Sequence, residues 1–396
     1  MSRFIPLSIP NFEGNEEAYA VKAVKEGWVS TAGAYISELE GKLEDYLEMP
    51  SVVACQSGTA GIHLALLECG LTPSDHVIVP TLTFIAAVNP VKYLYGNPIF
   101  MDCDDSLCMD PEKLKEFIEN ECEFKDGILN YKTTNKPIKA ILVVHVFGNL
   151  ADMEKIMMLA KEYNFKIVED ATEALGTYYR SGIYKGKKAG TIGDFGVFSF
   201  NGNKIITTGG GGAITGQAVS ALEHIKYLST QAKDDEHYYV HHEIGYNYRM
   251  TNVQAAIGVA QLEQLEEFIK RKNDNYKLYK ELFSGSDYYN MIGFRESTYS
   301  NKWFYSLNIE IDKINMNIRE IIEALQDKGI QTRPIWGLIH EQIPYQKDTS
   351  YRIENATYYS QRILNIPCST NIKEEEIRYV AAEIIKLLES CKKTIH

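Results

Sequence analysis

From about residue 50 to residue 215 the chain alternates short apolar runs with stretches of helical period. Ser51–Cys55, His76–Pro80, Pro98–Asp102, Lys139–Phe147, Phe165–Val168, Phe195–Phe200 and Gly212–Thr215 read as strands, each a mostly apolar run bounded by polar or turn residues. Helices are expected between them over Thr59–Cys69, Phe84–Tyr95 and Ala151–Tyr163. In the last of these, Met153, Ile156, Leu159 and Ala160 fall on one face. This alternation predicts an α/β fold, a mostly parallel sheet covered by helices on both faces. Ligands of such sheets bind beyond the carboxyl ends of the strands.

Glu119–Lys136 is polar and irregular and reads as a surface insertion. One long helical pattern runs from Thr251 towards Phe283 and suits a link between two domains. After it come a strand (Trp303–Ile311), a helix (Ile318–Lys328), a strand (Ile330–Pro334) and a closing helix (Glu374–Leu388), a small α+β set. The expected division is a large α/β domain over residues 1–265, with an N-terminal segment, and a small domain over 266–396. Internal repeats and low-complexity segments are not evident.

Composition narrows the function classes. The 396 residues are 45% hydrophobic and 24% charged, an ordinary globular balance. The longest apolar run, Ala140–Phe147, is interrupted by His145 and falls far short of the roughly 20 residues that span a bilayer. The amino terminus has no signal-peptide pattern. Seven cysteines without a CxxC pair look like a reduced set, as in a cytoplasmic protein. The net charge of −12 argues against nucleic acid as the main partner but leaves room for a phosphorylated small molecule.

Four segments place polar groups just past strand ends. In Gln56-Ser57-Gly58-Thr59-Ala60, Gly58 permits close backbone approach and the helix start offers unpaired amides to an anion. An ordinary N-cap by Ser57 or Thr59 is the alternative. The strand Lys166-Ile167-Val168 ends in Glu169-Asp170, and an acid there can hold a heterocyclic nitrogen protonated or simply cap the next helix. Phe198-Ser199-Phe200-Asn201-Gly202-Asn203-Lys204 puts a lysine in a strand-end loop, where loss of solvent makes its amine nucleophilic. Ser199, five residues earlier, is a candidate phosphate donor, and Gly209–Gly212 permit a tight turn. Gly245-Tyr246-Asn247-Tyr248-Arg249-Met250-Thr251 joins hydrogen-bonding aromatics to an amide and a guanidinium ahead of the long helix, with Thr251 as its N-cap.

In this order the four segments resemble the DegT/DnrJ/EryC1/StrS family of sugar aminotransferases. The resemblance extends to Trp28-Val29-Ser30-Thr31-Ala32-Gly33, Val144-His145-Val146-Phe147-Gly148, Arg333-Pro334-Ile335-Trp336 followed by His340, and Ile366-Pro367. It implies the fold type I (aspartate aminotransferase-like) architecture, pyridoxal 5′-phosphate (PLP) as cofactor, and a homodimer with shared active sites. Lys204 would carry the cofactor covalently and Asp170 would hold its ring nitrogen. Gly58, Thr59 and Ser199 would bind its phosphate, Phe84 would stack on its ring, and Asn247 would reach the neighbouring subunit's cofactor. Thr31 and His340 would meet a nucleotide-sugar along the cleft mouth, with glutamate as the amino donor.

The chain departs from the family pattern in two places. Glu173 stands where the family has a glutamine near the cofactor's phenolic oxygen, so a carboxylate there must be protonated or turned away. Gly210 replaces the acid of the glycine turn. Dehydratase members have histidine in place of the lysine, so Lys204 favours transamination. Within the family, the Glu119–Lys136 insertion and the Phe198–Gly212 block resemble enzymes that aminate C4 of a UDP-linked 4-keto-6-deoxy-N-acetylhexosamine towards legionaminic acid.

Other readings compete with this one. His145, His241 and His242 lack the ligand spacing of a metal site, and His145 is either a satisfied core residue or an active-site neighbour. Asp102, Asp104 and Asp105 read as a solvated strand-end loop. A nicotinamide-dependent sugar dehydrogenase needs a GxGxxG turn that Gly58-Thr59-Ala60-Gly61 does not supply. A non-catalytic regulator on the same fold would have no need to keep Lys204, Asp170 and Ser199 together.

Overall fold

The apolar runs pair into one central sheet. Its main strands in chain order are β1 (Val52–Cys55), β2 (His76–Pro80), β3 (Asn97–Met101), β4 (Lys136–Val144), β5 (Lys166–Asp170), β6 (Phe195–Ser199), β7 (Gly212–Gly216) and β8 (Thr349–Tyr351). They lie side by side in the order β1-β7-β6-β5-β4-β2-β3-β8. From β6 to β8 all neighbours are parallel, whereas β7 runs antiparallel to both β6 and β1. The computed structural model describes residues 4–235 and 237–393. Every residue of β1, β2 and β7 is buried, as helices on both faces of a parallel sheet demand.

The register aligns Asp170 with Val144 on one side and Val197 on the other, so β4, β5 and β6 end close together. Against this edge lies the Gly58–Glu68 helix, in which Gly58 and Ala60 to Leu66 are all buried. It can sit so close because Gly61 has no side chain: a methyl there would lie 2.7 Å from Val197. A second, antiparallel sheet is built from Tyr289–Met291, Tyr305–Ile309, Ile363–Ile366 and Arg333–Pro334.

The structure corrects four expectations. Residues 119–136 are not irregular: Cys122–Lys125 and Ile128–Tyr131 form a hairpin that pairs with the start of β4. Asp126 and Gly127 both take positive φ in its turn, the Asp-Gly signature of a two-residue hairpin. The Phe84–Tyr95 segment splits into a 3₁₀ turn (Ile85–Ala87) and a short helix (Asn89–Tyr93), because Pro90 cannot continue a preceding helix. The long pattern after Thr251 is two helices, Asn252–Leu262 and Leu265–Leu282. At the break, Gln261 and Gln264 both donate to Glu16, at 2.6 and 2.7 Å, binding the N-terminal helix (Glu16–Lys25) to the junction.

Asp102, Asp104 and Asp105 are not solvated either. Asp104 pairs with Arg295, and Asp105 accepts from the Tyr359 hydroxyl at 3.0 Å. Asp102 is fully buried and accepts from Lys113 Nζ at 2.6 Å and from the amides of Glu354, Asn355 and Ala356 at 2.7–2.9 Å. Burial pushes its carboxyl up, but Lys113 and the three amides outweigh this and hold it below the ordinary aspartate value. Asp102 thus locks the Asn355–Ser360 helix and neighbouring β8 onto the sheet. Asp102→Ala leaves three amides without their acceptor and Lys113 with only Glu354 and the Arg352 carbonyl to receive its protons. Chemical denaturation of this variant is expected to show a loss of roughly 3 kcal/mol; a loss below about 1 kcal/mol would show that the latch contributes little.

Candidate active site

Where β4, β5 and β6 end, the chain encloses a cleft of about 370 Å³, within the usual range for small-ligand sites. One wall is the start of the Gly58–Glu68 helix. Ser57 caps it by accepting the Ala60 N–H at 3.1 Å, and the other first-turn amides, at Gly58 and Thr59, have no intrahelical partner. A methyl on Gly58 would lie 2.7 Å from Thr172 Cγ2 and 3.2 Å from Ser199 Cβ. Glycine is therefore what brings this electropositive helix end against β5 and β6.

The two acids at the end of β5 separate because side chains alternate across a strand. Glu169 points into the core, where it accepts from His145 Nε2 at 2.8 Å and from the amides of Gly190, Ile192 and Gly193 at 2.6–3.0 Å. His145 Nδ1 in turn accepts the Ala151 N–H at 3.2 Å. That histidine is a satisfied core residue, and one that braces the cleft: its own N–H holds the Asp170 carbonyl at 3.1 Å. Asp170 faces the cleft. Burial pushes its carboxyl up, opposed by hydrogen bonds from Thr172 and the charge of Lys204.

Lys204 reaches the same cleft from the loop joining β6 to β7. The loop is pinned by Phe200 N–H to the Gly211 carbonyl, Thr208 N–H to the Phe200 carbonyl, and Lys204 N–H to the Asn201 carbonyl, all 2.9–3.0 Å. Trp303, from the second half of the chain, donates its indole N–H to the Asn203 carbonyl at 2.7 Å. The lysine Nζ lies 4.0 Å from the Trp303 ring centroid and 3.5 Å from Glu173 Oε1. Glu173 is fixed by its other oxygen, which accepts the Phe147 N–H at 2.8 Å. Burial, opposed by Lys204 and the Phe147 amide, pushes the Glu173 carboxyl up to about 7.

Of the residues expected from sequence, Gly58, Thr59, Phe84, Asp170, Glu173, Ser199 and Lys204 line this one cleft. The half-exposed Phe84 forms its outer wall. Asn247, Thr31 and His340 do not line it. The Asn247 side chain accepts from Gln231 at 3.2 Å on the surface. Thr31 is exposed, as is Trp28 three residues before it, at 59%. His340 Nδ1 is bonded to the Thr81 hydroxyl at 2.7 Å, and burial lowers the proton affinity of its ring. Sequence reasoning missed Trp303 and Phe304, which stack at 4.0 Å and close the cleft floor. No local motif marks them, since they reach the cleft from a hundred positions further along the chain than the loop they meet.

Glu173 makes stability depend on pH. Below the ordinary carboxyl value both folded and unfolded chains hold the proton. Between that value and about 7 only the folded chain does, so stability falls as pH rises, by roughly 3 kcal/mol in all. The melting temperature of the cofactor-free protein should therefore decline from pH 5 to pH 8. Glu173→Gln should flatten that decline, and an unchanged slope would refute the assignment.

The DegT/DnrJ/EryC1/StrS aminotransferase family matches residues 10–385 of the chain. GDP-perosamine synthase from Escherichia coli O157:H7 is 34% identical, over 96% of this chain and 98% of its own. UDP-4-amino-4,6-dideoxy-N-acetyl-beta-L-altrosamine transaminase from Campylobacter jejuni is 27% identical, over 98% and 99%. A solved DegT DnrJ EryC1 StrS aminotransferase from Brucella abortus superposes with a TM-score of 0.85 at 25% identity, covering 94% of this chain and 95% of that one. With this sheet, this cleft and this match, the chain belongs to the DegT/DnrJ/EryC1/StrS aminotransferase family and is a PLP-dependent nucleotide-sugar aminotransferase of the fold type I architecture.

Proposed function

We propose that the chain moves the amino group of glutamate to the C4 keto group of a nucleotide-linked 4-keto-6-deoxy sugar, with the cofactor held on Lys204. The observation that carries this reading is the meeting, in one cleft, of Lys204, Asp170 and the open first turn at Gly58 and Thr59. The residues fit PLP group by group. An amine is available for its aldehyde, a buried acid for its ring nitrogen, and a helix start with the Ser199 hydroxyl for its phosphate. Phe84 provides an aromatic face for its ring. When bound, PLP supplies a carbon that accepts an amino group from one substrate and yields it to the next, and a ring that draws off negative charge.

The protein's part is binding, orientation and proton transfer. Asp170 keeps a proton on the ring nitrogen, which makes the ring an electron sink. The Lys204 amine moves a proton to and from the substrate carbon that bears the amino group. The Trp303 ring and the pinned loop hold that amine in place between the two half-reactions. Asn247 lies outside its own chain's cleft, which supports its use in the neighbouring subunit's site within a homodimer. Thr31 and the free Nε2 of His340 serve the nucleotide-sugar.

The relatives at 31–34% identity named GDP-perosamine synthase favour a GDP-linked sugar. The UDP-linked N-acetylhexosamine, the substrate first read from the sequence, becomes the second reading, supported by the 27% relative. Among the described residues no helix is long and apolar enough to cross a membrane.

Lys204→Ala should abolish turnover and the visible absorption of bound cofactor while the protein stays folded; full activity would overturn the reading. Asp170→Ala should slow both half-reactions by more than about tenfold, or ~1.4 kcal/mol of barrier. A panel of 4-keto nucleotide-sugars assayed with glutamate and PLP should give the highest kcat/KM with a GDP-linked member. Rejection of every GDP- and UDP-linked member would refute the substrate class.

A further inference from the structure

We propose that Glu173 acts as a neutral carboxylic acid in the cofactor-loaded site, donating a hydrogen bond to the cofactor's phenolic oxygen, and not as a carboxylate. The inference rests on the reading of Lys204 as the cofactor-bearing residue and specifies what stands beside it.

Geometry fixes the carboxyl first. Its Oε2 is committed to the Phe147 N–H at 2.8 Å, which leaves Oε1 as the atom presented to the cleft, 3.5 Å from Lys204 Nζ. Around it, the charged groups are Lys204 from the β6–β7 loop and Asp170 from the end of β5. The turn at residues 146–148 offers only an amide, and Asn301 reaches the Glu173 main-chain carbonyl, at 2.9 Å, not its side chain. One cation therefore favours the ionised form, while one anion and complete burial oppose it.

Loading the cofactor removes that balance. In PLP the carbon that joins an amine is flanked by the phenolic oxygen on one side and the phosphate-bearing arm on the other. With the phosphate at the Gly58–Thr59 turn and the ring nitrogen at Asp170, the phenolic oxygen would point away from that turn, and Glu173 Oε1, 3.5 Å from Lys204 Nζ, is the acid within its reach. Lys204 no longer offers a free ammonium, because its charge is shared with that oxygen. Two anionic oxygens in contact, out of water, cannot both keep their charge. A proton taken up from solvent onto Oε1 resolves the conflict, turning the carboxylate into the acid with no other bond changed. The neutral acid still accepts the Phe147 N–H through Oε2.

The test measures PLP affinity of wild type and Glu173→Gln from pH 6 to pH 9. Glutamine keeps an acceptor for Phe147 and a donor for the cofactor but cannot ionise. Titration of Lys204 affects both proteins, so the ratio of their dissociation constants isolates residue 173. Wild type over variant, that ratio should be flat near pH 6 and rise above neutrality, approaching tenfold per pH unit. The infrared difference spectrum of loaded wild type minus loaded variant at pH 8 should also show the stretch of a protonated carboxyl. A ratio independent of pH, or no such band, overturns the proposal and leaves Lys204 untouched. Failure of wild type to bind PLP at any pH overturns the reading of Lys204, and this proposal with it.

Discussion

A carboxylate with no access to water must be met on all sides by donors, and Glu169 imposes that requirement on the centre of the molecule. Its oxygens gather His145 from the end of β4 and three amides, of Gly190, Ile192 and Gly193, from the loop ahead of β6. Because those donors come from the strands on either side of β5, satisfying the acid fixes where all three strands stop. Asp170, the next residue, then has no freedom of position. Its carbonyl is held by the His145 N–H and its side chain is turned to the opposite face, into the cleft. The site acid is placed by the needs of the core acid beside it.

The lysine is placed by a different device. Its loop has no regular structure, and to the backbone hydrogen bonds within it the second half of the chain adds a further clamp. Trp303 holds the Asn203 carbonyl with its indole and underlies Lys204 with its ring, a cation–π contact. The Trp303 carbonyl in turn accepts from Lys272 Nζ at 2.6 Å, a buried ammonium with the Tyr305 ring at 4.8 Å. Burial lowers the proton affinity of Lys272. Phe147, packed 4.8 Å from Trp336, adopts left-handed backbone (φ 56°) and from that conformation directs its amide to Glu173. A non-glycine residue in this region costs about 1 kcal/mol, which its burial among Trp303, Phe304 and Trp336 offsets.

This division explains what the sequence could disclose. The strands of the sheet were legible because a buried parallel strand must be apolar throughout, and Val77-Ile78-Val79 or Ile141-Leu142-Val143 can do little else. The cleft residues of the first half were legible because each follows its strand directly. Trp303 was not, since its role depends on a partner a hundred positions away. Asp102, Asp104 and Asp105 misled for the same reason: a run of acids next to a strand reads as solvated unless Lys113, Arg295 and Tyr359 are known to converge on it. The Asp126-Gly127 turn, by contrast, carried a local signal, but the polar residues around it masked the alternation that buries Leu129 and Tyr131.

The surface near Asn247 carries a constraint of the opposite kind, apolar groups left in water. The excursion from Gln231 to Tyr246 is closed by the Gln231 N–H on the Tyr246 carbonyl, yet it exposes Tyr238, Tyr239 and Ile244, the last by 87%. Trp28 and Val29 are exposed as well, on a segment fastened by Asn252, which holds the Trp28 and Ser30 carbonyls at 2.6 Å. Single exposed apolar side chains are ordinary, but several on segments this firmly tied mark a surface for association. Each segment is followed directly by a polar residue, Asn247 after one and Thr31 after the other, and neither lines its own chain's cleft. The homodimer proposed above would remove this apolar surface from water and would bring Asn247 and Thr31 to the clefts of a second copy.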